Sequence, residues 1–440
     1  MLVFFLLVIV ILSIIFATTK FKLHPFLTLL LAGIIMGWLA GLNTNDLLAK
    51  LTEGFGSTLK SIGIVIACGT VIGTFLEKSG GAGAMASSVL KLVGAKRSPL
   101  AMSITGYIVS IPVFCDSGFV ILSALNRALS KKTGISLTVL AVALATGLYS
   151  THVFVPPTPG PLAAAATIGA DIGLVILLGL VVSIPTAGVG LLWANFYSRR
   201  FKITPKDMSD AVEQEKQTPA ALFSFAPLIV PIVLIALKSI ADSPSAPFGD
   251  GFLKDLFGFI GHPVMALIIG VFLAFGLKRE ISTESYLDWV SIGLKNAGAI
   301  ILITGAGGAF GNVLRATGIG DSLGQAMSEW QIGIFLPFII AAVLKSAQGS
   351  STVALITTAA LVSPLLDPMG FTSPLAKTLV VLAIGAGSMT VSHVNDSYFW
   401  VVSQFSEMDT ATALRTHTMA TLFQGIVGIV VIAILGWIFV

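Results

Sequence analysis

Twelve stretches of this 440-residue chain run almost without charge, at roughly 2–17, 23–41, 57–76, 98–130, 136–170, 172–197, 222–241, 258–277, 292–313, 332–366, 377–405 and 418–440. A helix needs about 20 consecutive apolar residues to cross the hydrocarbon core of a bilayer, and most of these runs approach or exceed that length. Only 10% of the residues are Asp, Glu, Lys or Arg, against about 25% in a soluble domain. So few charges cannot clothe a globular surface. The fold class that remains is an all-α polytopic membrane protein.

The net charge of +4 would suit a nucleic-acid binder, but the basic residues sit beside the apolar runs, where they read as topology signals. Cys68 and Cys115 both lie in apolar runs with no CxxC or CxxH spacing, which speaks against a disulfide framework or a zinc site. The chain enters its first run at Leu2 with no basic leader or Ala-x-Ala site, so no cleavable signal peptide is expected.

Lys20 and Lys22, Lys91, Lys96 and Arg97, Lys131 and Lys132, Arg199, Arg200 and Lys202, and Lys278 and Arg279 are assigned to the cytoplasm. The stretches 42–53 and 242–257 fit the outside. Lys96/Arg97 and Lys131/Lys132 flank run 98–130 yet fall on one side, and the run breaks at Pro112 and at Asp116-Ser117-Gly118. Each half is too short to span. A re-entrant hairpin turning at Asp116 follows. Run 332–366 has the same form around Gly349-Ser350-Ser351-Thr352, with its mouth on the outside. Runs 136–170 and 377–405 are instead long helices broken by polar residues at mid-depth. Irregular backbone there is tolerated only inside protein or beside a watery cavity. About ten full spans and two hairpins are expected.

The two halves match. His24-Pro25 and His262-Pro263 open apolar runs 238 residues apart, and the same offset aligns Gly69, Gly73, Leu76 and Gly80 with Gly307, Gly311, Leu314 and Gly318. The tip Asp116-Ser117-Gly118 meets Gly349-Ser350-Ser351 at an offset of 233, and Thr151-His152-Val153 meets Ser392-His393-Val394 at 241. Two inverted-topology repeats are expected, each with about five transmembrane helices, one hairpin and one helix broken at the midplane. The first covers 1–200, a cytoplasmic linker 201–220, and the second 221–440.

The polar interruptions should meet where the repeats do. Asp116 and Ser117 sit where the second arm of their hairpin would begin, a position that favours capping residues. A helix starting at mid-membrane points free N–H groups and a positive dipole end into the cavity, which suits an anion. The second tip repeats that geometry with hydroxyls; the bland alternative is that Ser350, Ser351 and Thr352 merely cap a buried helix end. Four prolines between Pro156 and Pro161, with Thr158 among them, forbid a continuous helix. Ser392-His393-Val394-Asn395-Asp396 forms the other break. Ionisable groups at membrane depth are functional by default, so Asp116, His152, His393 and Asp396 qualify; for the histidines a neutral core imidazole is the competing reading. Lys345 should also be deep, either as counter-charge for an anionic substrate or in an ion pair with Asp116 or Asp396. Asp171 and Arg315 fall toward the outer interface. Gly80-Gly81-Ala82-Gly83 and Gly305-Ala306-Gly307-Gly308 lack the context of a phosphate loop and read as close helix packing.

These segments resemble the gluconate permeases, gluconate:proton symporters of the wider ion-transporter superfamily. The likeness rests on Phe119-Val120-Ile121-Leu122 after the acidic tip, Thr151-His152 through Pro161, Gly349 through Ala354, and Ser392 through Asp396. Lys20 through Phe26 and Gly305 through Phe310 are also similar, so the resemblance covers nearly the whole chain. It implies an elevator-type architecture and import of a sugar acid or small hydroxycarboxylate by a multi-pass protein of the bacterial inner membrane. Members usually carry Glu where Asp116 stands, His where Thr158 stands, and Arg at the place of Lys345. Both of the first two changes fall at the expected site, which makes a shorter acid such as glycerate a candidate beside gluconate.

The function expected is therefore proton symport of a small hydroxycarboxylate. Asp116, Ser117, Gly118, His152, Pro157, Thr158, Lys345, Gly349, Ser350, Ser351, Thr352, His393, Asn395 and Asp396 form the expected substrate site, with Asp116 and then Asp396 as proton carriers. No cofactor, metal or nucleic acid is implied; the partners are the carboxylate, the bilayer and, as an open option, a second copy in a homodimer. A sodium-coupled carrier using carbonyls at the helix breaks is the alternative. An intramembrane hydrolase built on His152, His393 and Asp396 is remote, because the chain has neither an HExxH pair nor a nucleophile elbow.

Overall fold

The computed structural model describes residues 20–94, 97–205, 219–241, 251–277, 283–317, 333–394 and 396–439, together with Ile9, Ser13, Ile14, Phe16 and Ala17. Asn395, Lys96, Lys278, Arg279, Gly318, most of run 2–17 and residues 206–218 of the expected linker lie outside the described residues.

Every described element is helical. In chain order they are α1 (Pro25–Leu39), α2 (Thr44–Lys78), α3 (Gly81–Val93), α4 (Ser98–Val109), α5 (Cys115–Thr133), α6 (Leu137–Phe154), α7 (Pro159–Ile168) and α8 (Ile172–Phe196). After the linker come α9 (Ala221–Ala241), α10 (Phe252–Ile260), α11 (Pro263–Phe275), α12 (Thr283–Ala316), α13 (Phe335–Gln348), α14 (Ser351–Val362), α15 (Pro374–Met389) and α16 (Ser397–Phe405). The chain ends with α17 (Thr410–Ala413), a π turn over Leu414–Thr418, and α18 (Met419–Phe439).

Among the described residues, five helices are long and apolar enough to cross a membrane unaided, and two bent pairs raise this to seven. The others are short because the sequence breaks them. Arms α4 and α14 have 12 residues each, about 18 Å at 1.5 Å per residue, well under a hydrocarbon core of about 30 Å. Pro159 opens α7 after a break at 155–158, and α15 ends at Met389 while α16 begins only at Ser397, capped by Asp396.

The starts of corresponding helices share their chemistry. At both α1 and α11 a histidine Nδ1, from His24 or His262, accepts from the amide two residues on at 3.4 Å, with Pro at the first helical position. A proline there lacks only an N–H that the helix would leave unpaired.

Two layers position the site. Helices α2 and α12 pack along one another at small residues: a Cβ on Gly54 or Gly308 would strike the opposite helix. Behind them lie α6, buried over its full length, and α15, buried from Thr378 onward. Arm α4 packs on α6 through Gly106 and Gly147, and α13 packs on α15 through Gly387, so each hairpin grips the broken helix that follows it. Glycine lets helix backbones approach where no hydrophobic drive exists between helices in lipid. The run Gly305–Gly308 thus serves packing against α2 and α14, whereas Gly80 takes a left-handed φ of +80 at the turn before α3 and a Cβ on Gly83 would meet nothing within 4 Å.

Candidate functional site

The two hairpin tips, the last turn of α6 and the start of α16 meet at one cavity of about 240 Å3. Its wall includes Asp116 on the first turn of α5, His152 on the last turn of α6, Ser350, Ser351 and Thr352 at the second tip, and Asp396 with Tyr398 at the start of α16. Ile300 and Ile303 of α12 close one side.

The first tip departs from the sequence reading. The turn occupies Ser110–Phe114 around Pro112, α5 begins at Cys115, and Phe114 stands at its N-cap without a side-chain cap. Asp116 is therefore inside the helix rather than capping it, because Pro112 completes the turn before the acid is reached. At the second tip Ser350 does cap α14, accepting from the Val353 amide at 3.3 Å, and its own hydroxyl proton remains available to donate. Gly349 ends α13 at φ +79, a left-handed conformation that favours glycine.

Three helices, α5, α14 and α16, thus begin at this cavity. The first-turn N–H groups that their caps leave free, and their positive dipole ends, make the lining attractive to an anion. Asp116 Oδ1 and His152 Nδ1 are buried and have no hydrogen-bond partner among the described residues.

Lys345 does not line the cavity. It is buried, donates to the Gly349 carbonyl at 2.9 Å and forms an ion pair with Asp396, which is buried too. Of the two roles open to this lysine, the structure displays the ion pair with Asp396. Asp396 also accepts from Ser392 Oγ and from the Tyr398 amide at 3.1 Å. Behind Ser392 stands His417, whose Nε2 lies 3.2 Å from the serine hydroxyl. Tyr149 completes the surround, with Lys345 Nζ 5.8 Å from its ring centroid.

Several expected site residues stay outside the cavity. Thr158 is buried and donates to the carbonyls of Val155 at 2.6 Å and His152 at 3.0 Å, satisfying the broken end of α6. Pro157 backs Gly69 of α2 and lines a separate apolar recess. Gly118 faces Leu148 of α6, and Ser117 is half-buried on α5. His393 is half-buried, its Nε2 3.0 Å from the Ser346 carbonyl, so it and His152 do different things. Asn395 is not among the described residues. Conversely, Tyr398 and the Ser392–His417 pair went unmarked. Thr416-His417-Thr418 at the edge of the last apolar run was the available signal.

Among the described residues no three His, Cys, Asp or Glu side chains are grouped to hold a metal. Arg315 lies at a smaller polar recess, hydrogen-bonded to Ser363, and Asp171 caps α8 by accepting from the Leu174 amide at 2.7 Å.

The sequence pattern of the GntP family permeases matches residues 1–438. A gluconate permease of Pseudomonas aeruginosa is 35% identical over 435 residues, covering 97% of this chain and 96% of that protein. The D-serine transporter DsdX of Escherichia coli strain K12 is 34% identical over 431 residues, covering 96% of both chains. The crystal structure of the YdaH transporter of Alcanivorax borkumensis superposes with a TM-score of 0.68 at 15% identity, over 95% of this chain and 99% of that one.

Proposed function

We propose, from the premise that this chain belongs to the GntP family of permeases, that it imports a small hydroxylated carboxylate by proton symport. It is a transporter rather than an enzyme, a multi-pass protein of the bacterial inner membrane. The observation that carries the reading is the convergence of three helix N-termini and the buried, unpartnered Oδ1 of Asp116 on one cavity.

The substrate carboxylate is placed at the start of α14, against Ser350, Ser351 and Thr352. Gluconate and D-serine, carried by relatives according to their names, share a carboxylate with a nearby hydroxyl, and that common core is the class assigned here. His152, with its unpartnered Nδ1, offers a hydrogen bond to a substrate hydroxyl, while the Tyr398 hydroxyl, which donates to the Ala145 carbonyl at 2.9 Å, can only accept one.

Coupling follows from charge. Lys345 and Asp396 compensate each other, which leaves Asp116 as the uncompensated carboxyl of the lining. A second carboxylate entering the same cavity is repelled by an ionised Asp116 and tolerated by a protonated one. By linkage, the proton and the anion then strengthen each other's binding by the same factor. Helix-break carbonyls that could serve sodium are partly engaged: His152 and Val155 accept from Thr158, and Gly349 from Lys345. This favours protons.

Residues 1–200 and 221–440 are proposed as inverted repeats joined by the linker 201–220. The recurring element order and the twin His-Pro helix starts support this. An elevator step would carry hairpins and broken helices past α2 and α12. The contact of α14 with α12, at Ala360 against Gly307 and Gly311, has the small residues such sliding needs.

The test is Asp116→Asn in proteoliposomes. It should lose concentrative uptake driven by an imposed pH gradient while retaining substrate exchange. Normal accumulation by this variant would remove Asp116 from coupling. Equal uptake by wild type with the pH gradient collapsed and sodium supplied would replace the proton. A thermal-shift screen of purified protein against C3 to C6 hydroxy acids identifies the substrate.

A further inference from the structure

At the other end of α6 from the transport cavity, a basic recess of about 760 Å3 opens between the start of α4 and the end of α8. Arg97, Arg199 and Lys202 line it, with Asn195, Ser136 and Thr204 adding polar groups, and among the described residues no carboxylate is in its lining. The three cations are exposed and form no ion pair among the described residues. By the positive-inside rule this rim is cytoplasmic.

The recess does not end at the water boundary. Leu100 lines both it and an apolar groove of about 340 Å3 that runs between α4 and α8. Leu100, Ile104 and Tyr107 form one stripe of α4, and Ile184, Gly188 and Leu191 form the facing stripe of α8. Positions spaced by three and four lie on one helix face. The helices run in opposite senses, so Leu100 and Leu191 stand at the recess and Tyr107 and Ile184 lie seven residues deeper, about 10 Å along either axis. The groove is anchored at that depth: the Tyr107 hydroxyl donates to the Leu180 carbonyl at 2.9 Å and accepts from Ser183 at 2.9 Å.

We infer that recess and groove together form a binding site for one anionic phospholipid, the phosphate held by Arg97, Arg199 and Lys202 and an acyl chain laid between α4 and α8. Basic pockets between transmembrane helices on the cytoplasmic face suit such headgroups. A free phosphate would use the recess and leave the groove idle; only an amphiphile accounts for both, and for their junction at Leu100. The lipid would bridge arm α4 of the first hairpin to α8.

The site is tested on purified full-length protein by native mass spectrometry, titrating dioleoylphosphatidylglycerol against dioleoylphosphatidylcholine. Roughly fivefold per basic side chain compounds over three to about a hundredfold preference for the glycerol headgroup. The triple variant Arg97→Gln, Arg199→Gln, Lys202→Gln should abolish that preference. Gly188→Leu should weaken both lipids about tenfold by filling the groove; a Cβ at Gly188 meets nothing within 4 Å, and an unchanged melting temperature checks that the protein accommodates the rest of the side chain. Equal binding of the two lipids by wild type overturns the inference. So does loss in the charge variant with Gly188→Leu unaffected, which would assign the recess to a soluble anion or to the acidic segment 206–218. All three readouts are independent of transport.

Discussion

Lys345 shows how burial fixes the role of a charge. Its side chain and that of Asp396 are 1% and 4% exposed, so neither has water to fall back on. Replacing one partner leaves the other uncompensated in a dry site, which typically costs about 3–5 kcal/mol, whereas removing both is far milder. Lys345→Met should therefore destabilise the protein by about that amount in thermal unfolding, and Lys345→Met with Asp396→Asn should recover most of it. A double variant no more stable than the single would show that the pair is not what holds this region. The sequence made Lys345 visible as a deep cation. It could not say which carboxylate it meets, because Asp396 lies 51 residues away and is brought to it only by how the helices pack. His417 was hidden for another reason: it stands inside a π turn at the margin of an apolar run, where hydropathy alone makes no distinction.

Helix breaks were legible wherever proline or glycine enforces them, as at Pro156–Pro161 and Gly349. The start of α5 was not, since a carboxylate near a turn resembles a cap unless the turn's own length is known. Packing inside an element is equally invisible in sequence, because a glycine in an apolar helix carries no sign of what it touches. Gly147 touches Ser103: an added Cβ would collide with that carbonyl oxygen, and Gly106 opposite has the Leu144 carbonyl only 2.6 Å from where its Cβ would be. Gly147→Ala should thus pry α4 from α6 at a cost of about 1–3 kcal/mol. Gly298→Ala, where a Cβ meets nothing within 4 Å, should be neutral or stabilising by about 0.5–1 kcal/mol. Paired melting curves in one detergent check the contrast. Outside the bilayer, Asp409 caps α17 at the Thr412 amide, 2.7 Å away, and Thr412 holds its carboxyl below the usual carboxylate range. The cap's contribution is complete above that range and fades only as pH falls through the lowered value.

At the scale of the whole molecule, the recurrence of four segments at near-constant offsets was the most legible feature of the sequence. The number of spans was less so: apolar runs that hydropathy counts alike resolve into long helices, bent pairs and short arms. The proposed inversion places the two hairpin mouths on opposite faces of the membrane. Lys132, beyond the first hairpin, and Asp367, beyond the second, are both exposed. In a background with Cys68→Ala and Cys115→Ala, Asp367→Cys should react with an impermeant maleimide in intact cells. Lys132→Cys should react only after permeabilisation. Labelling of both from one side would end the inverted arrangement.

One more property follows from the mutual neutralisation of Lys345 and Asp396. With that pair silent, a single anion travelling with a single proton on Asp116 moves no net electricity. The cell's voltage would then do no work on the cycle, and the difference in acidity alone would set how far the solute can be concentrated.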